Sequence, residues 1–466
     1  MQRSRWITDW HPEDVAAWEA GNRTIAARNL IWSTVTMHIA FSVWSLWSVM
    51  VLFMPESVYG LAAGDKLLLG ATATLVGACA RVPYVAATAR FGGRNWAVFS
   101  ALVLLIPVLG TLVLLENPGQ PLWLYLVMAA LTGLGGGNYA ASLAHVDSFY
   151  PQRLKGFALG LTGGIGNLGV AAIQLVGLLV ISTVGNRQPY WVCALYLLLL
   201  AIAGVGAALG MDNLDHGMDE VGTVRSILST PDSWTISVLY SAAFGSFIGF
   251  AFAFAQVLHV NFEKGGQSPT QASLHAAQIA FLGPLLGALA RIYGGRLADR
   301  RGGGPVTFWV FAAMIATTAV LVATSIYDDH HPGLLSTMVC YIAGFIVLFI
   351  LAGMGNGSVL KMIPSIFEAR SHALGLSEPE RRHWSRSHSG ALIGFATAVG
   401  ALGGVGINLT LRHSYAAHHT ETPAFWIFLA CYCAAALLTW AGYLRPRSGA
   451  PVRPGDTRSA AEHALV

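Results

Sequence analysis

Charge is what this sequence has least of. Only 11% of its 466 residues are Asp, Glu, Lys or Arg, against roughly 25% in a soluble globular chain, so a water-exposed surface cannot be covered. With 55% hydrophobic residues and a mean hydropathy of +0.57, the chain reads as an integral membrane protein. Cysteine is scarce too. Cys79, Cys193, Cys340, Cys431 and Cys433 all fall in apolar stretches, where a thiol acts as a small hydrophobe, which excludes a disulfide framework and redox chemistry. The first 28 residues lack an apolar signal core, so the first hydrophobic helix stays in the mature protein. A formal charge of +4, scattered along the chain, excludes nucleic acid as a partner.

What is present is a series of apolar runs. A span needs about 20 residues to cross roughly 30 Å of hydrocarbon, and that ruler finds twelve, near 29–54, 67–89, 95–115, 122–146, 156–182, 190–211, 234–258, 270–294, 305–326, 334–362, 388–410 and 424–444. The polar stretch 212–233 divides them six and six. The expected organisation is a cytoplasmic N-terminal segment (1–28), a six-helix bundle (29–211), a cytoplasmic linker (212–233), a second bundle (234–444) and a cytoplasmic tail (445–466). Loops on the side of the termini hold 12 Lys and Arg and the termini themselves eight, whereas the opposite loops hold four, Lys66, Arg187, Lys264 and Arg412. Positive charge stays inside, which places both ends in the cytoplasm.

The halves repeat. Ala80-Arg81, Arg90, Gly92 and Gly93 recur as Ala290-Arg291, Arg300, Gly302 and Gly303, at an offset of 210. In helices 5 and 11, Gly156, Gly160, Gly166, Gly169 and Gln174 are matched by Gly390, Gly394, Gly400, Gly403 and Asn408; in helices 4 and 10, Gly133, Gly135 and Gly137 by Gly353, Gly355 and Gly357. The fold class is therefore all-α: twelve transmembrane helices in two pseudo-twofold-related six-helix halves.

None of the 23 acids lies in the middle of a span; Asp147 and Asp232 come closest, at helix ends. The intramembrane charges are all cations: Arg81, Arg291 and Lys361. Arg81 falls about 21 Å along its helix, and both arginines lie about 13 Å from their cytoplasmic arginine markers, near the midplane. Lys361, one turn before Pro364, is placed to snorkel to the headgroups. A midplane cation is a functional hypothesis by default. Two permanently charged, planar guanidinium forks on a pseudo-twofold axis, with no carboxylate to neutralise them, describe a site for a small planar anion.

The glycines of this region are ruinous for a water-exposed helix at about 1 kcal/mol each, and in a membrane they let helices pack closely and slide. No Gly-Lys-Ser/Thr follows them, which removes a P-loop. Asn167 shares the glycine face one turn from Gly163 and Gly164, where an amide either touches substrate or bridges helices. Tyr240 and Phe244, four apart, share a face and offer two rings that can sandwich a planar ion. His38 and His145 have no acid in the spans to complete a relay and read as structural. His330 and His331, beside Asp328 and Asp329, read as a solvated outer loop rather than a metal site, and no cofactor or metal is expected.

The segments Gly133-Leu-Gly-Gly-Gly-Asn-Tyr-Ala-Ala-Ser142, Gly160-Leu-Thr-Gly-Gly-Ile-Gly-Asn167-Leu-Gly169 and Gly353-Met-Gly-Asn-Gly-Ser-Val-Leu-Lys-Met-Ile-Pro364 resemble the signature motifs of the nitrate/nitrite porter family of the major facilitator superfamily, with NarK-type bacterial transporters most similar. The resemblance extends through Arg28-Asn29-Leu30, Ala80-Arg81, Phe244-Gly245-Ser246-Phe247-Ile248-Gly249-Phe250 and Gly283-Pro284 to Arg291. It implies a monomeric, multi-pass transporter of the bacterial inner membrane, moving nitrate and nitrite by alternating access without ATP. Arg81 and Arg291 then clamp the anion, Asn167, Tyr139, Tyr240 and Phe244 line the site, and Gly135, Gly136, Gly137, Gly163, Gly164, Gly353, Gly355 and Gly357 are signature glycines. Tyr139 stands where some relatives have phenylalanine. Gly355-Asn356-Gly357-Ser358 departs from a Gly-Ser repeat of other members, which leaves exchanger and proton symporter both open.

Asp299 and Arg300 are expected to gate, from the loop after helix 8, by latching one state of a rocking bundle. Repulsion between two uncompensated arginines favours crossing with an anion bound, and so nitrate/nitrite antiport. A proton-coupled nitrate symporter, or a carrier of another small anion, is the alternative. An enzyme or sensor needs buried acids, metal ligands or an output domain that the chain lacks.

Overall fold

The computed structural model describes residues 6–185, 188–215, 226–331 and 333–445. Eleven helical runs in it are long and apolar enough to cross a membrane. The twelfth crossing is interrupted: Leu122–Gly133 and Asn138–Phe149, together α4, are joined by a tighter 3-10 turn over Leu134–Gly137, the glycine run itself. The others are α1 (Arg23–Trp44), α2 (Ala63–Phe91), α3 (Gly93–Glu116), α5 (Gln152–Val184), α6 (Tyr190–Gly210), α7 (Pro231–Lys264), α8 (Pro269–Arg301), α9 (Gly303–His330), α10 (Leu335–Ser371), α11 (Glu378–His418) and α12 (Thr422–Thr439). Several outrun the hydrophobic ruler, because a helix does not stop where the hydrocarbon does: α10 continues past Pro364, and α11 begins at Glu378, ten residues before the apolar run. α8 breaks at Phe281, where Pro284 has no N–H for the carbonyl of Ala280.

The repeat holds at the level of atoms. Gly92 and Gly302, the paired breaks after α2 and α8, have φ of 85° and 84°, a left-handed turn that glycine takes without strain. A Cβ at Gly77 would collide with the Trp44 ring and one at Gly287 with Phe247; at Gly166 with Met37 and at Gly400 with Tyr240; at Gly169 with the His38 carbonyl and at Gly403 with that of Ser241. These pairs put α1 and α7 in register at an offset of 203. The glycines are thus the holes into which the α1 and α7 side chains fit.

The halves meet tightly on the side away from the termini. Gln174 Nε2 donates to the Ala251 carbonyl at 2.8 Å, and Ser273 Oγ to that of Leu52 at 2.9 Å. Toward the termini, positions for a Cβ at Gly156, Gly160 and Gly164 on α5 and at Gly390 and Gly394 on α11 have no atom within 4 Å. Close packing therefore does not describe Gly164.

Four peripheral expectations change. The N-terminal segment is built in: Trp6–Ile7 (β1) pairs in parallel with Asn213–Leu214 (β2), Trp10 packs on Phe149, and Trp18 on Tyr150. Asp212 belongs to α1 as much as to the linker, accepting from Asn29 Nδ2 at 3.1 Å and Arg28 Nη2 at 2.5 Å. Residues 216–225 of the linker and 446–466 of the tail lie outside the described residues. Lys66 is in the first turn of α2 and buried rather than in an outer loop. The outer cluster is solvated at Asp329, His330 and His331, which are exposed, but Asp328 and Asp329 are not in a loop. They end α9, Asp328 buried and accepting from Thr337 and Asp329 accepting from Thr420 and Thr422, all at 2.7–2.8 Å.

Gly353→Ala forces a Cβ into the Gly287 carbonyl, whereas Gly390→Ala meets open space. Overpacking costs about 1–3 kcal/mol, so Gly353→Ala is expected to lower the unfolding temperature in detergent by several degrees and Gly390→Ala to leave it in place. Equal losses in both variants contradict this packing scheme.

Candidate anion-binding site

Each arginine sits one turn beyond a glycine that admits a ring from the neighbouring helix: Gly77 then Arg81, with Trp44; Gly287 then Arg291, with Phe247. Arg81 is fully buried. Its guanidinium carbon lies 5.0 Å from the ring centres of Tyr139 and Phe244 and 5.6 Å from that of Trp44. Cation–π contacts of this kind return about 0.5–2 kcal/mol each and offset part of the cost of burying the charge. Arg291 lies 5.8 Å from the Tyr139 ring, and its Nη2 donates to the Tyr139 hydroxyl at 2.7 Å.

The arginines reach across the interface in opposite directions. Arg81, on α2, donates through Nη1 to the Thr397 carbonyl on α11. Arg291, on α8, reaches α4 through Tyr139 and α5 at Gly163, where a Cβ would lie 3.5 Å from Nη2. Thr397 and Gly163 are repeat mates at the helix 5/11 offset of 234, so the two guanidiniums are bound by equivalent points of opposite halves. The ionisable groups that act on them are each other and the neutral phenols of Tyr139 and Tyr240, with no carboxylate among the described residues.

Both leave donors unused. Arg81 Nε and Nη2 and Arg291 Nη1 are buried without a partner, and so are both polar atoms of Asn167, which is 1% exposed and one turn along α5 from Gly163. A buried donor without an acceptor costs about 1–3 kcal/mol, more when charged. Three guanidinium N–H positions and one amide, with net charge of plus two, form a receptacle for an anion with several acceptor oxygens.

The rings are arranged differently from the sequence expectation. Tyr240 and Phe244 stack on each other, 5.3 Å apart at 17°, so no ion fits between them; they form one wall, with Phe244 beneath Arg81. The Tyr240 hydroxyl donates to Asn356 Oδ1 at 2.6 Å. Of the signature glycines, Gly163 clears Arg291, Gly136 and Gly137 clear Trp44 and Tyr84, Gly135 and Gly353 clear backbone carbonyls of Ala40 and Gly287, Gly355 packs on Ala243, and Gly357 faces the Arg291 carbonyl.

Lys361 and the gating pair lie elsewhere. Asp299 and Arg300 occupy the last turn of α8, not the loop, and Asp299 pairs with Lys361 of α10 at 3.0 Å. Both partners belong to the same half, so this contact fastens α8 to α10 and does not bridge the bundles. Lys361 thus has a carboxylate partner, which the sequence reading did not give it. His38 Nδ1 meets the Ile165 carbonyl at 2.8 Å, and His145 Nε2 the Asn29 side-chain oxygen at 3.1 Å, both in structural roles. Sequence reasoning missed Trp44 and Thr397; the signal for the first was Gly77, and for the second its place as repeat mate of Gly163.

The Major Facilitator Superfamily family model matches residues 31–378. The chain is 33% identical over 468 residues to the nitrate/nitrite transporter NarU of Escherichia coli K12, covering 95% of this chain and 97% of that one. It is 29% identical to the probable nitrate/nitrite antiporter NarK2 of Thermus thermophilus, covering 96% and 99%. Among solved structures, a D-xylose-proton symporter superposes with a TM-score of 0.66 at 14% identity, over 92% of this chain and 100% of that one, which bears on the fold alone. The chain belongs to the Major Facilitator Superfamily and, within it, to the nitrate/nitrite porter family.

Proposed function

We propose that this protein is a secondary transporter of nitrate and nitrite in a bacterial inner membrane, with both ends in the cytoplasm, and that it works by exchanging one anion for the other. The observation that carries the reading is the pair of buried guanidiniums from opposite halves, both against the Tyr139 ring, whose N–H groups are left unused with no acid among the described residues acting on them. Nitrate and nitrite are small, planar and singly charged, and accept paired hydrogen bonds in a plane, as a guanidinium fork offers them. Arg81, Arg291 and Asn167 bind the anion; Tyr139, Tyr240 and Phe244 bound it. The names of the relatives NarU and NarK2 point the same way.

Alternating access follows from where the halves are joined. Gln174 and Ser273 hold them on the far side, and the glycines toward the termini face open space, the arrangement of a carrier open to the cytoplasm. Closing that side requires the two arginines to approach a common centre. Each repels the other in a low-dielectric interior, and an anion between them removes the repulsion, so the loaded carrier crosses more readily than the empty one. That asymmetry produces exchange.

Arg81→Lys and Arg291→Lys keep the charge and lose the planar fork, so each is expected to reduce nitrate counterflow in proteoliposomes about tenfold or more, with folding intact. Normal uptake by either variant shows that the fork is not needed. Sulfate, tetrahedral and doubly charged, is expected to compete poorly; inhibition by sulfate at nitrate-like concentrations points to a general oxyanion carrier. Vesicles loaded with nitrite are expected to take up nitrate far faster than buffer-loaded ones. Rapid entry into buffer-loaded vesicles driven by an inward proton gradient, without stimulation by internal nitrite, establishes symport instead.

A further inference from the structure

The two tyrosine hydroxyls beside the site have different partners, Tyr139 within it and Tyr240 outside it. Arg291 Nη2 donates to the Tyr139 oxygen at 2.7 Å, and the Tyr240 hydroxyl, on the ring stacked against Phe244, donates to Asn356 Oδ1 at 2.6 Å. Asn356 is 1% exposed on α10, between Gly355 and Gly357. A phenol has one proton to give, and a carboxamide oxygen only accepts. With its proton given to Asn356, Tyr240 presents lone pairs alone.

We infer that Asn356 is a positioning residue that sets the number of donors at the anion site: by taking the Tyr240 proton it withholds that hydroxyl from the anion, leaving Arg81 Nε and Nη2, Arg291 Nη1 and Asn167 Nδ2 to bind it. The inference rests on the anion reading above. An anion only accepts hydrogen bonds, so a hydroxyl turned to Asn356 contributes a ring edge and nothing more. The affinity of the site is thereby held below what its side chains can supply, which suits a carrier that must release its cargo on the other side of the membrane. The residue responsible lies in the segment Gly355-Asn356-Gly357-Ser358 of α10.

The test is a double-mutant cycle read by calorimetric titration of nitrate into the purified full-length protein: wild type, Asn356→Ala, Tyr240→Phe and the double variant. Removing the acceptor frees the Tyr240 proton for the anion, so Asn356→Ala is expected to bind nitrate about three- to tenfold more tightly. With no hydroxyl to free, the double variant is expected to bind within about twofold of Tyr240→Phe. A merely structural Asn356 changes affinity by the same factor in both backgrounds, and that result overturns the inference, as does unchanged or weaker binding by Asn356→Ala. Asn356→Leu, which keeps the side-chain volume without an acceptor, replaces the alanine variant in the same cycle if the latter unfolds. Wild-type protein that binds no nitrate overturns the anion reading and this inference with it; wild-type binding without coupling overturns the inference alone.

Discussion

Two guanidinium charges buried between two bundles, with no acid among the described residues acting on either, are the constraint on which the rest of this structure depends. A single midplane cation costs a few kcal/mol or more, and the fold meets that cost with dipoles and ring faces rather than with carboxylates. Arg81 lies against three aromatic rings and one carbonyl, Arg291 against one ring and one hydroxyl. Partial compensation leaves the charge available. A carboxylate at either position would satisfy the fork and remove its reason to take an anion.

The glycines serve the same constraint. Gly77 and Gly287 place a ring one turn from each arginine, and Gly163 clears the approach of Arg291 to the opposite half. The repeat supplies the frame, and departures from the repeat supply the chemistry. Met37 on α1 answers to Tyr240 on α7, and Gly163 to Thr397. The pseudo-twofold therefore sets where the two charges stand, while Asn167, Tyr139, Tyr240 and Asn356, none of them duplicated in the other half, make the pocket one-sided.

Much of this was legible in the sequence because membranes allow so few exceptions. An arginine among apolar residues is visible without a structure, and the offset of 210 showed that there are two of a kind. What the sequence could not carry was direction. Spacing put Tyr240 and Phe244 on one face but could not say that they stack on each other rather than around an ion. Asp299 lies near a helix end by any count, yet its partner Lys361 is 62 residues away and in the same half, which only the packing of α8 against α10 determines. Hydropathy likewise saw the N-terminal segment as polar and missed its pairing with Asn213–Leu214, because two residues of strand carry no periodic signal.

The most direct measurement is a structure determined with nitrate bound. The expected result is one anion between the two guanidiniums, accepting from Arg81 Nε and Nη2 and from Arg291 Nη1, with Asn167 Nδ2 within hydrogen-bonding distance. An anion bound elsewhere, with Arg81 and Arg291 still unshared, would contradict the claim that these two charges from opposite halves form the transport site.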